Sequence, residues 1–192
     1  MINNQKIEAK ATKLLVLNGL YKVPVDIFTL IERLNLDLEI LPMEDEMSGF
    51  IKIEGSHANI VINKQHDLKR QRFTAAHEVG HYVLHRDVHQ EQQIFIDDNE
   101  AGTRSIIDSR NKKARKVFNR DVSSEDGTHR LDIEANRFAA ALLMPEELIE
   151  NVVVRLNINL SNEFDTKRLA DKFNVSVQAM ILRLANIGVR HF

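Results

Sequence analysis

Apolar positions recur at helical spacing near the start of the chain. Between residues 4 and 20, Ile7, Ala11, Leu14 and Leu15 fall on one side, and Asn18 and Gly19 then interrupt the stripe. A second stripe, Ile27, Leu30, Ile31 and Leu34, runs through PVDIFTLIERLN, with Pro24 near its start. The period then shortens to two. LDLEILP, SGFIKIEG and HANIVINK predict three short strands, and EGSH at residues 54–57 predicts a hairpin turn between the last two. Helical spacing returns from Lys69 to Leu84 through Phe73, Ala76, Val79, Gly80, Val83 and Leu84. Residues 91–130 break the pattern, and LDIEANRFAAALLM and PEELIENVVVRL restore it. Pro145 suits the first turn of a helix, where Glu146 and Glu147 favour its positive end. Helices followed by a small meander give an α+β class, not a doubly wound sheet.

Composition narrows the chemistry. The chain of 192 residues is long enough for one sizeable core, and its 43% apolar and 28% charged content is that of a folded globular protein. A net charge of −2 gives no global pull toward nucleic acid or membrane. There is no cysteine, so disulfides and thiolate metal sites are excluded, and any metal must be held by His, Asp or Glu. The amphipathic N-terminus lacks the organisation of a secretory signal, and no window approaches the roughly 18 apolar residues of a membrane span. These features predict a cytoplasmic chain. Residues 97–117 read as a polar insertion. The basic cluster of Arg110, Lys112, Lys113, Arg115, Lys116 and Arg120 reads first as a solvated surface and only secondarily as a substrate or nucleic-acid patch.

The chemistry concentrates in RFTAAHEVGHYVLH. Residues four apart on a helix are offset by about 40° and 6 Å, so His77 and His81 project side by side. Both imidazoles can then reach one Zn²⁺ at about 2.0–2.1 Å, with Glu78 beside the open position as general base. This H-E-x-x-H spacing on a helix is the metalloprotease pattern. Chance matches occur, and a surface helix with two histidines is the plain alternative. The apolar flanks Phe73, Ala76, Val83 and Leu84 favour burial, and buried imidazoles need partners. Gly80 marks a place where another element can approach closely, since a mid-helix glycine costs about 1 kcal/mol against alanine.

A catalytic zinc needs a third ligand. His85 and His89 continue the ladder but rise out of reach, which leaves His85 a supporting or substrate-contact role. Asp87 stands where metzincins place a third histidine, but Leu84 occupies the position where those proteins require glycine. Glu134 heads an apolar face with Phe138, Ala141 and Leu142 and is the stronger candidate. If it faces the histidine helix, the set is the His₂Glu open site of catalytic zinc. Otherwise Glu134 is a first-turn residue favoured by the helix dipole, with Asp132 as N-cap. Asn136 reads as a packing or capping residue. Tyr82 reads as packing, and His129 and Arg130 are weak candidates for an oxyanion contact.

RQRFTAAHEVGHYVLH followed by EANRFAAALLMP resembles the ImmA/IrrE family of metallopeptidases, and the likeness extends over most of the chain. It implies a zincin-like domain with one zinc per chain, in which His77, His81 and Glu134 are the ligands and Glu78 the base. It also implies a protein substrate of regulatory kind, a helix-turn-helix repressor of a mobile element, prophage or stress response. By analogy with zincins, the last strand, Asn59, Ile60, Val61, Ile62 and Asn63, would form the sheet edge to which a substrate peptide adds. The full expectation is an α+β zincin-like domain over residues 1–160, a small antiparallel sheet packed on its helices. Residues 161–192 would follow as a helix-turn-helix-like segment. In that segment Gln178, Arg183 and Asn186 offer only a thin face for DNA. Direct DNA binding is therefore not favoured. The rival function is a DNA- or partner-binding regulator whose metal site is structural or idle.

Overall fold

A computed structural model describes residues 2–54, 57–86, 93–98 and 125–188. Two helices open the chain, α1 (Asn4–Leu17) and α2 (Ile27–Arg33), and each starts on a side-chain cap. The Asn3 side chain accepts from the Gln5 amide, and the Asp26 side chain accepts from Thr29. Asn18 caps α1 at its C-terminus, and Gly19 follows at φ +62°. The stripe of Ile7, Ala11 and Leu15 is fully buried, and so is that of Ile27, Leu30 and Ile31.

Three strands follow, β1 (Asp37–Leu41), β2 (Met47–Glu54) and β3 (His57–Asn63). The hairpin between β2 and β3 pairs Glu54 with His57, and residues 55–56 lie outside the described set. The sheet differs from a simple antiparallel meander in two ways. β1 pairs with β3 in parallel, so the sheet is mixed. A fourth strand, β4 (Gln93–Asp98), lies in the polar stretch that breaks the hydrophobic pattern and pairs antiparallel with β2. The order is β1-β3-β2-β4. The rest of the expected insertion, residues 99–117, lies outside the described set.

Helix α3 (Leu68–His85) starts on the Asp67 cap and lies against β2 and β3. Gly49 of β2 permits this approach: a Cβ there would stand 2.6 Å from Thr74 Cγ2 on α3 and from the Val61 carbonyl oxygen. On its other flank α3 meets α4 (Glu125–Leu143), which also carries α1. Ala75, Ala76 and Val79 of α3, with Phe138, Ala139 and Leu142 of α4, are fully buried in the centre of the core. Each large side chain so buried contributes on the order of 1.5–3 kcal/mol.

After Pro145 comes α5 (Glu146–Leu156), then α6 (Glu163–Phe173) and α7 (Val177–Asn186). Helices α5 and α6 end on left-handed asparagines, Asn157 at φ 48° and Asn174 at φ 53°. Ser176 caps α7 by accepting from Ala179 N–H. Leu169, Ala170, Phe173, Met180 and Leu184 from this last pair join the same core as α1 and α3. Two buried arginines tie the parts. Arg72 donates to the carbonyls of Val25 (2.9 Å) and Asn174 (3.1 Å). Arg183 donates to the Met144 carbonyl at 2.9 Å and pairs with the Glu8 carboxylate. No described helix is long and apolar enough to cross a membrane.

Candidate metal centre

The site is built where the second half of α3 faces the middle of α4. Four-residue spacing on α3 places His77, His81 and His85 in a row, and all three are buried. The Nε2 atoms of His77 and His81 face each other at 2.9 Å, and their rings meet edge to face. Glu78, next to His77 on the helix, is 0% exposed.

Helix α4 supplies the polar side chains across the seam. Asp132 Oδ1 stands 3.4 Å from His81 Nε2. Asn136, one turn on, lies 2.9 Å from His77 Nδ1 through its Oδ1. His77, His81 and Asp132 each offer a ligand atom, and these atoms all lie within 4.8 Å of one another. Two imidazole nitrogens and a carboxylate oxygen suit Zn²⁺, whose catalytic sites use three protein ligands and leave one position open. Burial pushes the His81 imidazole down to about 4, against a smaller upward pull from Asp132, with His77 and His85 adding to the fall. A ring that stays neutral at physiological pH keeps a nitrogen lone pair for a metal.

Glu134 is brought to the same seam but turned another way. Its Oε1 accepts from the Ile2 main-chain N–H at 2.6 Å and from Arg130 Nε at 3.5 Å. Its Oε2 lies 3.3 Å from His85 Nε2. Burial pushes this carboxyl up, but the bonds from Ile2, His85 and Arg130 together outweigh it and leave the group below its ordinary value. Burial likewise lowers His85, against Glu134 and Asp132. Asp132, not Glu134, therefore stands beside the His77–His81 pair.

The sequence points past Asp132 and Asn136 because residues 125–130, polar apart from Gly127, have the composition of a loop, which leaves Asp132 to cap a helix. The helix in fact begins at Glu125, so Asp132 is an interior residue and shares a face with Asn136 four positions on. That pairing was the available signal. Gly80 does mark a close approach: a Cβ there would lie 3.1 Å from the Cα and carbonyl oxygen of Ala135.

Other sequence candidates sit elsewhere. β3 is an inner strand, hydrogen-bonded to β1 and β2, so Asn59–Asn63 is not a sheet edge; the described edges are β1 and β4. Ile60 and Ile62 are fully buried, and Asn59 Nδ2 donates to Glu39 Oε1. Asn63 is spent on the preceding loop, donating to the Glu44 and Met47 carbonyls at 3.0 and 2.9 Å and accepting from Met43 and Gln65 N–H. Tyr82 packs at the core margin, and its hydroxyl accepts from Arg86 at 2.7 Å. Arg183, one of three side chains expected to face DNA, is only 4% exposed and is held by Met144 and Glu8. Asp87, His89 and the basic cluster at residues 110–120 lie outside the described set.

No curated protein matches the chain. The peptidase M78 family model, described as the IrrE N-terminal-like domain, matches residues 31–105 and 106–185, which takes in both helices of the metal centre. The chain therefore belongs to the M78 peptidase family, of the ImmA/IrrE kind that its two motifs resemble.

Proposed function

We propose that the chain is a zinc-dependent endopeptidase of the cytoplasm. Its substrate would be a regulatory protein, a helix-turn-helix repressor of a mobile element, prophage or stress response. The observation that carries the peptidase reading is the facing Nε2 pair of His77 and His81, with Asp132 in reach and Glu78 buried beside them. Membership of a peptidase family supports it. The regulatory substrate rests on the ImmA/IrrE resemblance.

His77, His81 and Asp132 would hold the ion, and Glu134 would support the site from behind His85. Zinc bound there would supply a Lewis acid for the scissile carbonyl and for water. Glu78 takes a proton from the attacking water and delivers it to the leaving amine nitrogen, the two transfers a peptidase base must make. Asn136 fixes the His77 ring through Nδ1, so the ring need not reorient during turnover. A substrate strand that adds to the sheet would do so at β1 or β4, since β3 is paired on both sides.

Elemental analysis of the wild type beside Asp132→Ala, Glu134→Ala and Glu78→Gln tests the assignment. The wild type should carry about one zinc per chain, Asp132→Ala should lose it, and Glu78→Gln should retain it. Loss in Glu134→Ala with retention in Asp132→Ala would return the third ligand to Glu134. Comparison of protein N-termini in cells expressing wild type or Glu78→Gln then seeks the substrate. A neo-N-terminus present only with the wild type identifies it. An unchanged regulatory output in the Glu78→Gln strain would favour the rival, a binding regulator with an idle metal site.

A further inference from the structure

Helices α3, α4 and α7 leave a groove of about 840 Å³ between them. Its apolar lining comes from all three: Phe73 of α3, Ala140 and Met144 of α4, and Ala179 and Leu182 of α7. Met144 is fully buried, whereas Leu182 is 57% exposed, so a large apolar side chain stands at an open mouth. A lone exposed leucine is ordinary, but one that continues an apolar groove marks an interaction site. Gln178 and Asn186, two of the side chains expected to face DNA, line the same groove one turn to either side of Leu182.

The rim has a sign. Among the lining residues Lys69, Arg70 and Arg137 are cationic, and Asp67 is the one carboxylate. Arg183 also lines the groove but is paired with Glu8, and Lys69 is paired with Asp171. Arg70 donates from Nη2 to the Ser48 hydroxyl, a neutral partner that leaves its charge in place. In a chain of net charge −2 the groove is a local patch of opposite sign. It adjoins the metal centre without belonging to it. Asn136 lines the groove and meets His77 at Nδ1, while the Nε2 of His77 is turned to His81. Glu78, His81 and Asp132 take no part in the lining.

We propose that this groove docks an amphipathic helical segment of the protein substrate, away from the bond that is cut, with its apolar side chains against Phe73, Ala140 and Leu182 and its acidic ones against Arg70 and Arg137. That the segment belongs to a substrate rests on the peptidase reading, but the groove itself needs no metal. Arg137, Ala140 and Met144 stand at steps of three and four along α4, opposite the face of α7, and two such walls accept a third helix. A nucleic acid suits the groove less well, because a phosphate backbone needs cations along its track and the middle of this one is apolar. Docking beside His77 would raise the effective concentration of the rest of the substrate at the metal centre.

Panning a display library of random peptides of about 15 residues, long enough for a helix, on the full chain carrying Glu78→Gln tests the proposal. Enriched peptides should share apolar residues at helical spacing and an excess of Asp and Glu. Their affinity should fall roughly 10-fold or more in Leu182→Glu and in Arg137→Glu. Leu182 is exposed, so Leu182→Glu should keep the wild-type circular dichroism. Lys in place of the acidic residues of an enriched peptide should abolish binding to the parent chain and restore part of it to Arg137→Glu. No enrichment, peptides without an acidic excess, or equal binding to Leu182→Glu would overturn the proposal. So would salt-sensitive binding of a duplex DNA probe that Arg137→Glu removes, which assigns the face to nucleic acid. Self-association that Leu182→Glu abolishes, read by sedimentation, would overturn it in favour of a second copy of the chain. Peptide binding of the expected kind by a chain that holds no zinc would sink the peptidase reading and leave the groove standing.

Discussion

Gly80 of α3 meets the backbone of Ala135 on α4 so closely that a Cβ would lie 3.1 Å from the Ala135 Cα and its carbonyl oxygen, and 3.3 Å from Phe138 Cδ1. The contact falls one residue before the ligand candidate His81, and on α4 it lies between Asp132 and Asn136. It therefore sets the separation of the imidazoles from the carboxylate and amide that face them.

Gly80→Ala should push the two helices apart by a few tenths of an ångström. The expected cost is about 1–3 kcal/mol, as for other overpacked cores. Zinc affinity should fall in the same protein, because Asp132 and Asn136 move with α4. Urea unfolding and chelator competition measure the two effects. Gly49→Ala should destabilise more, since its Cβ would stand 2.6 Å from a backbone oxygen. Wild-type stability and affinity in Gly80→Ala would mean that the seam is not close-packed.

Metal removal should lower stability by mass action. Free zinc at a hundred times its dissociation constant stabilises by about 2.7 kcal/mol. For a chain of this size that raises the melting temperature by roughly 5–10 °C. A thermal scan with and without chelator should show this shift in wild type and in Glu78→Gln. It should vanish in Asp132→Ala.

Arg72 joins three separate parts of the chain through the Val25 and Asn174 carbonyls. Arg72→Met keeps much of the stem but strands both carbonyls, at an expected cost of about 2–4 kcal/mol. Arg72→Lys should recover little of it, because an ammonium is a point donor and not a fork. A urea midpoint within error of wild type in Arg72→Met would refute this account.

Asp171 gives the acid limb a marker. Hydrogen bonds from Lys69 of α3 and Lys167 of α6 hold its carboxyl down at about 2, against an ordinary value of 3.8. A depressed carboxylate stabilises the fold above its unfolded value, and that contribution is lost as pH falls through the folded one. The stability gap between wild type and Asp171→Asn should therefore be constant above about pH 5 and close between pH 4 and 2. The pair is exposed, so the gap should be small and should shrink in high salt. A gap that persists at pH 2 would exclude the ion pairs as its source.

The sequence makes some elements legible and hides others, for physical reasons. The three-histidine face of α3 and the close approach at Gly80 follow from helical periodicity and the absence of a side chain, both local properties. The inner position of β3 does not, because strand order depends on a parallel pairing with β1 that leaves no mark on β3's own alternation. β4 is a short run of strand formers, Ile94, Phe95 and Ile96, inside a polar stretch, and its pairing with β2 is what fixes it in the sheet. Asp132 is obscured by the start of α4: five polar residues and Gly127 look like loop until tertiary packing carries the helix through them. Glu134, expected as the third zinc ligand, is a buried carboxylate that meets Ile2, Arg130 and His85.

The bidentate pair of Arg183 with Glu8 joins residues 175 positions apart, and Ile2 reaches Glu134 across 132. During synthesis α1 must wait for α4 before Glu134 is satisfied, and for α7 before Glu8 is. Closure over such distances is entropically slow. A ribosome-bound chain that has already exposed its H-E-x-x-H helix thus still lacks Asp132 and Asn136, the α4 side chains that face His81 and His77. The candidate metal centre can therefore form only after α4 has left the ribosome.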